Sequence, residues 1–205
     1  MKLDADVLPV AGFTSLYIAV AAVAAVGVGN GEFLFYIVVM LVLMLVVWLV
    51  HRSVSLTTPV LWALSFWGLA HMAGGLVPVP GSLPIDGSIR VLYSLWLIPE
   101  RLKYDQVVHT YGFGVATWVC WQGIRAAIRR RGGEAVPTAG LMVLAAAAGM
   151  GLGALNEVIE FAATMLMAET NVGGYVNTGW DLVANFVGAA GAALIIRMRG
   201  GMIRE

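Results

Sequence analysis

The stretch LNEVIEF, residues 155–161, holds two glutamates in a run that is otherwise mostly Ala, Gly, Leu, Met and Val. Glu157 and Glu160 are three residues apart, and on a helix that spacing puts both carboxylates on one face. Ionisable groups inside an apolar span are energetically costly, and they usually face a protein interior or a wet cavity. The groups that surround these two carboxylates must therefore come from the other apolar segments.

The composition is typical of a polytopic helical membrane protein. Of 205 residues, 60% are hydrophobic and 12% are charged, which is about half the charged fraction of a soluble domain. Apolar runs of about 18 residues recur along the chain, and helices are the default spanning element because backbone groups in lipid must be satisfied internally. A formal net charge of zero and no basic–aromatic patch give no support to a nucleic-acid partner. The single cysteine, Cys120, excludes an internal disulfide.

The apolar segments predict an all-α fold of six transmembrane helices in one integral membrane domain, residues 1–205. The longest connection separates the third helix from the fourth. Within it, residues 89–98 mix Arg90 with Tyr93, Trp96 and aliphatic side chains, which predicts a short helix lying in the membrane interface. The predicted spans are residues 11–28, 33–50, 59–75, 104–125, 137–167 and 179–197.

The distribution of basic residues predicts the orientation. With six spans, the amino end with Lys2, the loop at Arg52, the loop at residues 129–131 and the carboxyl end share one side, and most Lys and Arg residues lie there. The positive-inside rule therefore predicts an inner-membrane protein with both termini in the cytoplasm. The basic residues of the long outer connection are exceptions to this rule. The amino end lacks the basic start and the cleavage site of a signal peptide, so the first span is expected to be retained.

This topology brings polar residues from four predicted helices to the outer third of the membrane. Asp105 and His109, four residues apart, open the fourth span from the outside. Glu157 lies about 20 residues, or roughly 30 Å, into the fifth span. Asp181 and Asn185, again four apart, open the sixth. We therefore expect one shared pocket, whose predicted members are His71, Asp105, His109, Glu157, Glu160, Asp181 and Asn185.

The residue types in this pocket suit metal binding or acid–base chemistry. Two histidines and four carboxylates are ligands that Zn²⁺, Mn²⁺ or Fe accept, and helical bundles hold metals with Glu and His one turn apart. Glu157, Glu160 and His109 are the predicted acid–base groups. The familiar Glu-x-x-His and His-Glu-x-x-His patterns are absent, so a set of ion pairs and proton-sharing carboxylates is the alternative. The predicted metal ligands are Asp105, His109, Glu157, Glu160, Asp181 and His71.

Simpler roles are open for each residue taken alone. Asp105 and Asp181 fall in first turns, where acids cap a helix and complement its dipole. His71 fits an interfacial histidine bonded to a loop carbonyl. Glu157 and Glu160 would be solvated if the fifth helix left the bilayer just before them.

Four ordered motifs resemble those of the YjdF-type family of bacterial inner-membrane proteins. The likeness runs from the third span to the end of the sixth, and the first two spans match only in character. More distantly, the chain resembles the VanZ-like membrane proteins. Asn177 stands where the family commonly has Asp, so a ligand or base role there does not carry over. The motifs are HMAGG at residues 71–75, YDQVVH at 104–109, EVIEF at 157–161 and NTGWD at 177–181.

Three functions are compatible with these residues. A membrane-embedded, metal-dependent enzyme would act on a membrane lipid or a lipid-linked head group; the link of VanZ-like proteins to the cell surface favours this only by analogy. A small proton-coupled transporter or flippase would use the carboxylates as proton carriers, and it predicts a cavity that reaches both sides. A structural polar clasp would fix the helix order and leave function to a partner. Supporting roles around the pocket are predicted for Asn185, Tyr104, Trp180 and Asn177.

Overall fold

Six long helices make up most of the computed structural model, which describes residues 7–27, 29, 31–167 and 170–202. The ends of each helix fall within about five residues of the ends of a predicted apolar segment. The predicted helical architecture is therefore confirmed. Val28, the last residue of the first predicted span, and Lys2 lie outside the described residues. The helices are α1 (Val7–Gly27), α2 (Gly31–Val54), α3 (Thr58–Leu76), α4 (Tyr104–Arg130), α5 (Ala139–Leu166) and α6 (Tyr175–Met202).

Four of these helices, α1, α2, α5 and α6, are long and apolar enough to cross a membrane. Leu45 of α2 and Leu144 of α5 are more than half exposed, as expected for side chains that face lipid. Of the other two helices, α4 is the less apolar and contains the buried Gln122, while α3 is the shortest of the six and contains the buried Ser65. The prediction that all six helices span the membrane goes beyond this finding.

Close packing joins α4, α5 and α6, while α1 packs against α3 and α2 lies against α1. The approach of α6 to α4 depends on Gly188: a Cβ there would collide with the Thr110 carbonyl and lie 3.0 Å from the Gly114 nitrogen. Small residues at such crossings let helix backbones approach closely in membranes. Alternating helix directions create two ends. We call the end where α4 and α6 begin the capped end, and the opposite end, with Arg52, Arg130 and Arg199, the arginine-rich end.

The connection at residues 77–103 folds over the capped end as irregular chain and short strands. Strand β1 (Trp96–Ile98) pairs antiparallel with β2 (Leu102–Lys103), and isolated bridges join Pro78 to Val91 and Ile85 to Leu95. The Arg90 guanidinium donates hydrogen bonds to three carbonyls of the same connection.

The interfacial helix predicted at residues 89–98 does not form. The structure has a single 3₁₀ turn (Leu92–Ser94) followed by β1. The physical reason is that the backbone groups of this segment bond across the connection: the Leu92 nitrogen donates to Val77 O and the Trp96 nitrogen to Pro84 O. These bonds replace the local ladder that a helix requires.

Candidate functional site

His109, one turn into α4, lies at the centre of a group of buried carboxylates. Its Nε2 atom is 3.6 Å from Asp105 Oδ1 and 3.9 Å from Glu160 Oε1, and its Nδ1 atom is 3.7 Å from Glu157 Oε1. Asp181 of α6 completes the group, which we call the carboxylate cluster: Asp105, His109, Glu157, Glu160 and Asp181. The structure therefore brings together polar side chains of α4, α5 and α6, as the sequence predicts.

Helical spacing explains why these side chains share a site. Asp105 and His109 are one turn apart on α4, and Glu157 and Glu160 are one turn apart on α5, so each pair points to the same side of its helix. Both glutamates come within 4 Å of the His109 ring, and neither is a freely solvated side chain. Helix α5 continues past both glutamates to Leu166, so neither of them lies at the end of the helix.

The cluster packs four carboxyl groups around a single imidazole. Among the described residues, both carboxylate oxygens of Glu157 and the Oδ1 atom of Asp181 have no hydrogen-bond partner. The His109 ring lies within 4 Å of Asp105, Glu157 and Glu160. One imidazolium cannot neutralise four carboxylates, and an uncompensated buried carboxylate is very costly. The cluster therefore requires a bound cation or shared protons.

Two triads of ligand atoms in the cluster are close enough to hold a metal. The ligand atoms of Asp105, His109 and Asp181 lie within 4.8 Å of one another, and so do those of His109, Glu157 and Glu160. Bonds of about 2.0–2.2 Å put two ligands of a tetrahedral ion roughly 3.5 Å apart, so small side-chain rotations suffice to close either triad.

Asn185 orients the His109 ring. It lies one turn after Asp181 on α6, is almost fully buried, and its Oδ1 atom is 3.0 Å from His109 Nδ1. With this oxygen as acceptor, Nδ1 carries the ring proton and Nε2 presents its lone pair towards Asp105 and Glu160. A ligand histidine usually makes such a bond through its other nitrogen, which sets the tautomer.

His71 lies beside the cluster, and the structure brings it into neither triad. Its Nδ1 atom is hydrogen-bonded to the Tyr93 hydroxyl from the connection. Burial, and after it the nearby charges of Asp105 and Glu160, raise the pKa of Tyr93 well above its usual value, so the hydroxyl keeps its proton. The Nδ1 atom of His71 is engaged in this hydrogen bond, which favours a flanking role over metal ligation.

A polar cavity of about 340 Å³ leads into the cluster from the capped end. Its walls come from the connection, the loop at residues 170–174 and the adjoining helix ends. Asp105, Glu160 and His71 line it, whereas His109, Glu157 and Asp181 lie behind them. A molecule that enters the polar cavity would therefore meet Asp105 and Glu160 first.

The comparison with known proteins places the whole bundle in one family. A family model described as "Predicted membrane protein (DUF2238)" matches residues 10–200. The chain belongs to this family. It is the YjdF-type family that the four motifs indicate, so that prediction is confirmed, while the VanZ-like relation is not shown. Neither the curated proteins nor the solved structures contain a match to this member of the family.

Two polar residues of this family member belong to the site although no sequence motif singled them out. The side chain of Lys103, 8% exposed, contacts Asp86 at 3.3 Å and also donates to Asn177 Oδ1. Glu32, in the first turn of α2, lines the polar cavity and accepts the backbone N–H of Asn171. Lys103 directly precedes the Tyr-Asp motif, and this position is the one sequence feature that could have indicated its place in the site. No sequence feature indicates that Glu32 belongs to the site.

The predicted supporting residues take different places. Asn177 Nδ2 donates to Asp181 Oδ2 at 2.6 Å, so Asn177 connects Lys103 to the cluster. The Tyr104 hydroxyl donates to the Ala70 carbonyl, which joins α4 to α3. Trp180 is more than half exposed on α6.

Replacing Asn185 with alanine is expected to weaken metal binding by roughly 10- to 100-fold, the range typical for loss of an outer-shell partner. The His109 ring would lose the bond that sets its tautomer. Isothermal titration of the purified protein with Zn²⁺ or Mn²⁺ measures the change. Gln122→Ala is the control, because Gln122 is also a buried amide but bonds Thr57 at the arginine-rich end. Equal affinity in the two variants would contradict the role of Asn185.

Proposed function

We propose that this protein is a membrane-embedded, metal-dependent enzyme that acts on a lipid or lipid-linked head group. The observation that carries the proposal is the set of buried carboxylate oxygens on Glu157 and Asp181 that lack partners among the described residues. A divalent cation such as Zn²⁺, Mn²⁺ or Fe²⁺ would compensate these oxygens, and carboxylate and imidazole ligands suit all three ions.

The two triads suggest a division of roles. Asp105, His109 and Asp181 would hold the metal, since three protein ligands and one open position are typical of catalytic sites. Glu160 lines the polar cavity and would be the acid–base group that faces the substrate. Glu157 lies behind Glu160, and the nearby metal would compensate the charge of its carboxylate.

The lipid assignment is supported by the surroundings of the site. The bundle that contains the cluster includes four helices that are long and apolar enough to span a membrane. In the six-span topology with cytoplasmic termini, the capped end faces outward and the polar cavity opens at the depth of the outer head groups. A head group of the outer leaflet could enter there.

A proton-coupled transporter or flippase is the second candidate, and one observation favours it. A second cavity, of about 310 Å³, extends from His51 at the arginine-rich end to Glu160 at the cluster. Together the two cavities reach towards both ends of the bundle. We rank this function second because the walls of the second cavity are mostly apolar, which does not suit the passage of a proton or an ion.

The proposed enzyme is tested by metal content. Protein purified in detergent and dialysed against trace Zn²⁺, Mn²⁺ and Fe²⁺ is expected to retain about one divalent ion per chain, measured by mass spectrometry of the elements. Glu157→Gln, which removes one buried charge, should lower this occupancy, whereas Glu134→Gln, at an exposed position in the loop before α5, should not. A metal-free protein whose Glu157→Gln variant is folded and fully active in cells would overturn the proposal.

A further inference from the structure

The second cavity is an apolar groove that begins where the polar cavity ends. Its walls come from α1, α2 and α3, and α5 contributes to the wall at the end nearest the carboxylate cluster. Along α2 it extends from Tyr36 to His51, which is roughly 22 Å at 1.5 Å per residue. We call it the apolar groove.

The walls of the apolar groove suit hydrocarbon better than water. Side chains such as Val39, Leu43 and Leu64 line most of its length. Two of its four hydroxyl-bearing residues bond to each other: Thr14 donates to the Val10 carbonyl and lies 2.6 Å from Ser65 Oγ. The other two are Tyr17 and Tyr36. Cavities with apolar walls stay dry, because water there cannot make its hydrogen bonds. A hydrocarbon chain is the occupant that the surrounding membrane supplies.

Three residues belong to both spaces. Tyr36, His71 and Glu160 line the polar cavity on one side and the apolar groove on the other. A molecule that occupies both would therefore have its polar part at the carboxylate cluster and its apolar part along α2. Each volume, about 340 Å³ and about 310 Å³, is within the range of small-molecule sites.

We infer that the apolar groove binds one acyl or prenyl chain of the substrate and thereby places its head group beside Glu160. The inference rests on the proposed enzyme and names the class of its substrate, an amphiphile with one chain held by the protein. One groove of this size accommodates one chain, so a second chain, where present, would stay in the bilayer.

Photocrosslinking with a defined probe tests the inference. The probe is hexadecyl phosphate with a diazirine in the middle of its chain, added to the full-length protein in phosphatidylcholine nanodiscs. Labelling of residues 39–48 on α2 and 64–71 on α3 is expected to saturate and to fall when unlabelled hexadecyl phosphate is added. Peptide mass spectrometry locates the adducts.

Matched tryptophan variants on α2 provide the control. Leu43 lines the groove and is 41% exposed, whereas Leu45 is 55% exposed and lies outside it. Leu43→Trp should reduce saturable labelling at least about fivefold, because the indole fills the groove, and Leu45→Trp should leave it unchanged. Val39→Phe is a milder second variant in case Leu43→Trp is unstable. Labelling that does not saturate, or that is equal in the Leu43 and Leu45 variants, would overturn the inference.

Metal binding, measured in the same samples, separates this inference from the proposed enzyme. Leu43→Trp is expected to keep the metal affinity of the unchanged protein, because Leu43 lies on α2, which contributes no residue to either ligand triad. Saturable, Leu43-sensitive labelling of a protein that binds no metal would support the groove and overturn the enzyme. Metal binding combined with diffuse labelling would support the enzyme and overturn the groove.

Discussion

His109→Gln is expected to lower the affinity for divalent metal by more than roughly 100-fold, which exceeds the usual cost of losing an outer-shell partner. His109 belongs to both ligand triads, so no alternative triad within the described residues survives its removal. Glutamine keeps similar length and a hydrogen-bonding group, but it offers a much weaker ligand atom. The cluster would also lose the one imidazole that lies within 4 Å of three of its carboxyl groups.

Thermal unfolding with and without metal measures this effect. A ligand that binds the native state at about 100 times its dissociation constant stabilises the protein by about 2.7 kcal/mol. The unchanged protein should show that rise in melting temperature with Zn²⁺ or Mn²⁺, and His109→Gln should not. His51→Gln is the matched control, because His51 lies on α2 at the arginine-rich end. If the cluster were only a structural clasp, the two variants would respond to metal alike.

The pairs within each helix were predictable from the sequence, because one-turn spacing alone determines which side chains share a face. Glu157 with Glu160 and Asp105 with His109 are of this kind. Their convergence depended on the alternating direction of the helices, which follows from the number of spans. Helix count and spacing together therefore predicted most of the carboxylate cluster.

The contacts made by the long connection could not be predicted in this way. His71 was expected to join the pocket because of its predicted depth in the membrane. Its Nδ1 atom is instead hydrogen-bonded to Tyr93, 22 residues later in the chain. Glu32 binds the backbone of Asn171, 139 residues away, and no local pattern reports such a bond. The connection forms strands and bridges because its backbone groups pair between distant residues, which propensity and periodicity do not encode.

The second cavity shows a related limit. Its lining comes from four helices, and every apolar residue on it is also a good lipid-facing residue. The lining of the apolar groove and the lipid-facing surface of α2 are equally hydrophobic. Hydropathy therefore cannot distinguish one from the other in the sequence. Only the relative positions of α1, α2 and α3 distinguish them.

Gly188→Ala is expected to destabilise the bundle by about 3 kcal/mol, the upper part of the usual range for overpacking. The added Cβ would collide with the Thr110 carbonyl and lie 2.9 Å from its carbon, so backbone would have to move, not a flexible side chain. Gly191→Ala is the matched control on the same helix, because a Cβ at Gly191 would meet nothing within 4 Å among the described residues. Chemical unfolding in detergent measures both variants.

The same substitution should also weaken metal binding, although Gly188 is no ligand. Thr110 directly follows His109, and Gly188 lies three residues after Asn185, so moving α6 away from α4 draws Asp181 and Asn185 away from the His109 ring. Loss of a ligand position by even a small displacement is expected to cost affinity as well as stability. A Gly188→Ala protein that is destabilised but binds metal as tightly as Gly191→Ala would show that α6 contributes no ligand, and would exclude Asp181 from the centre.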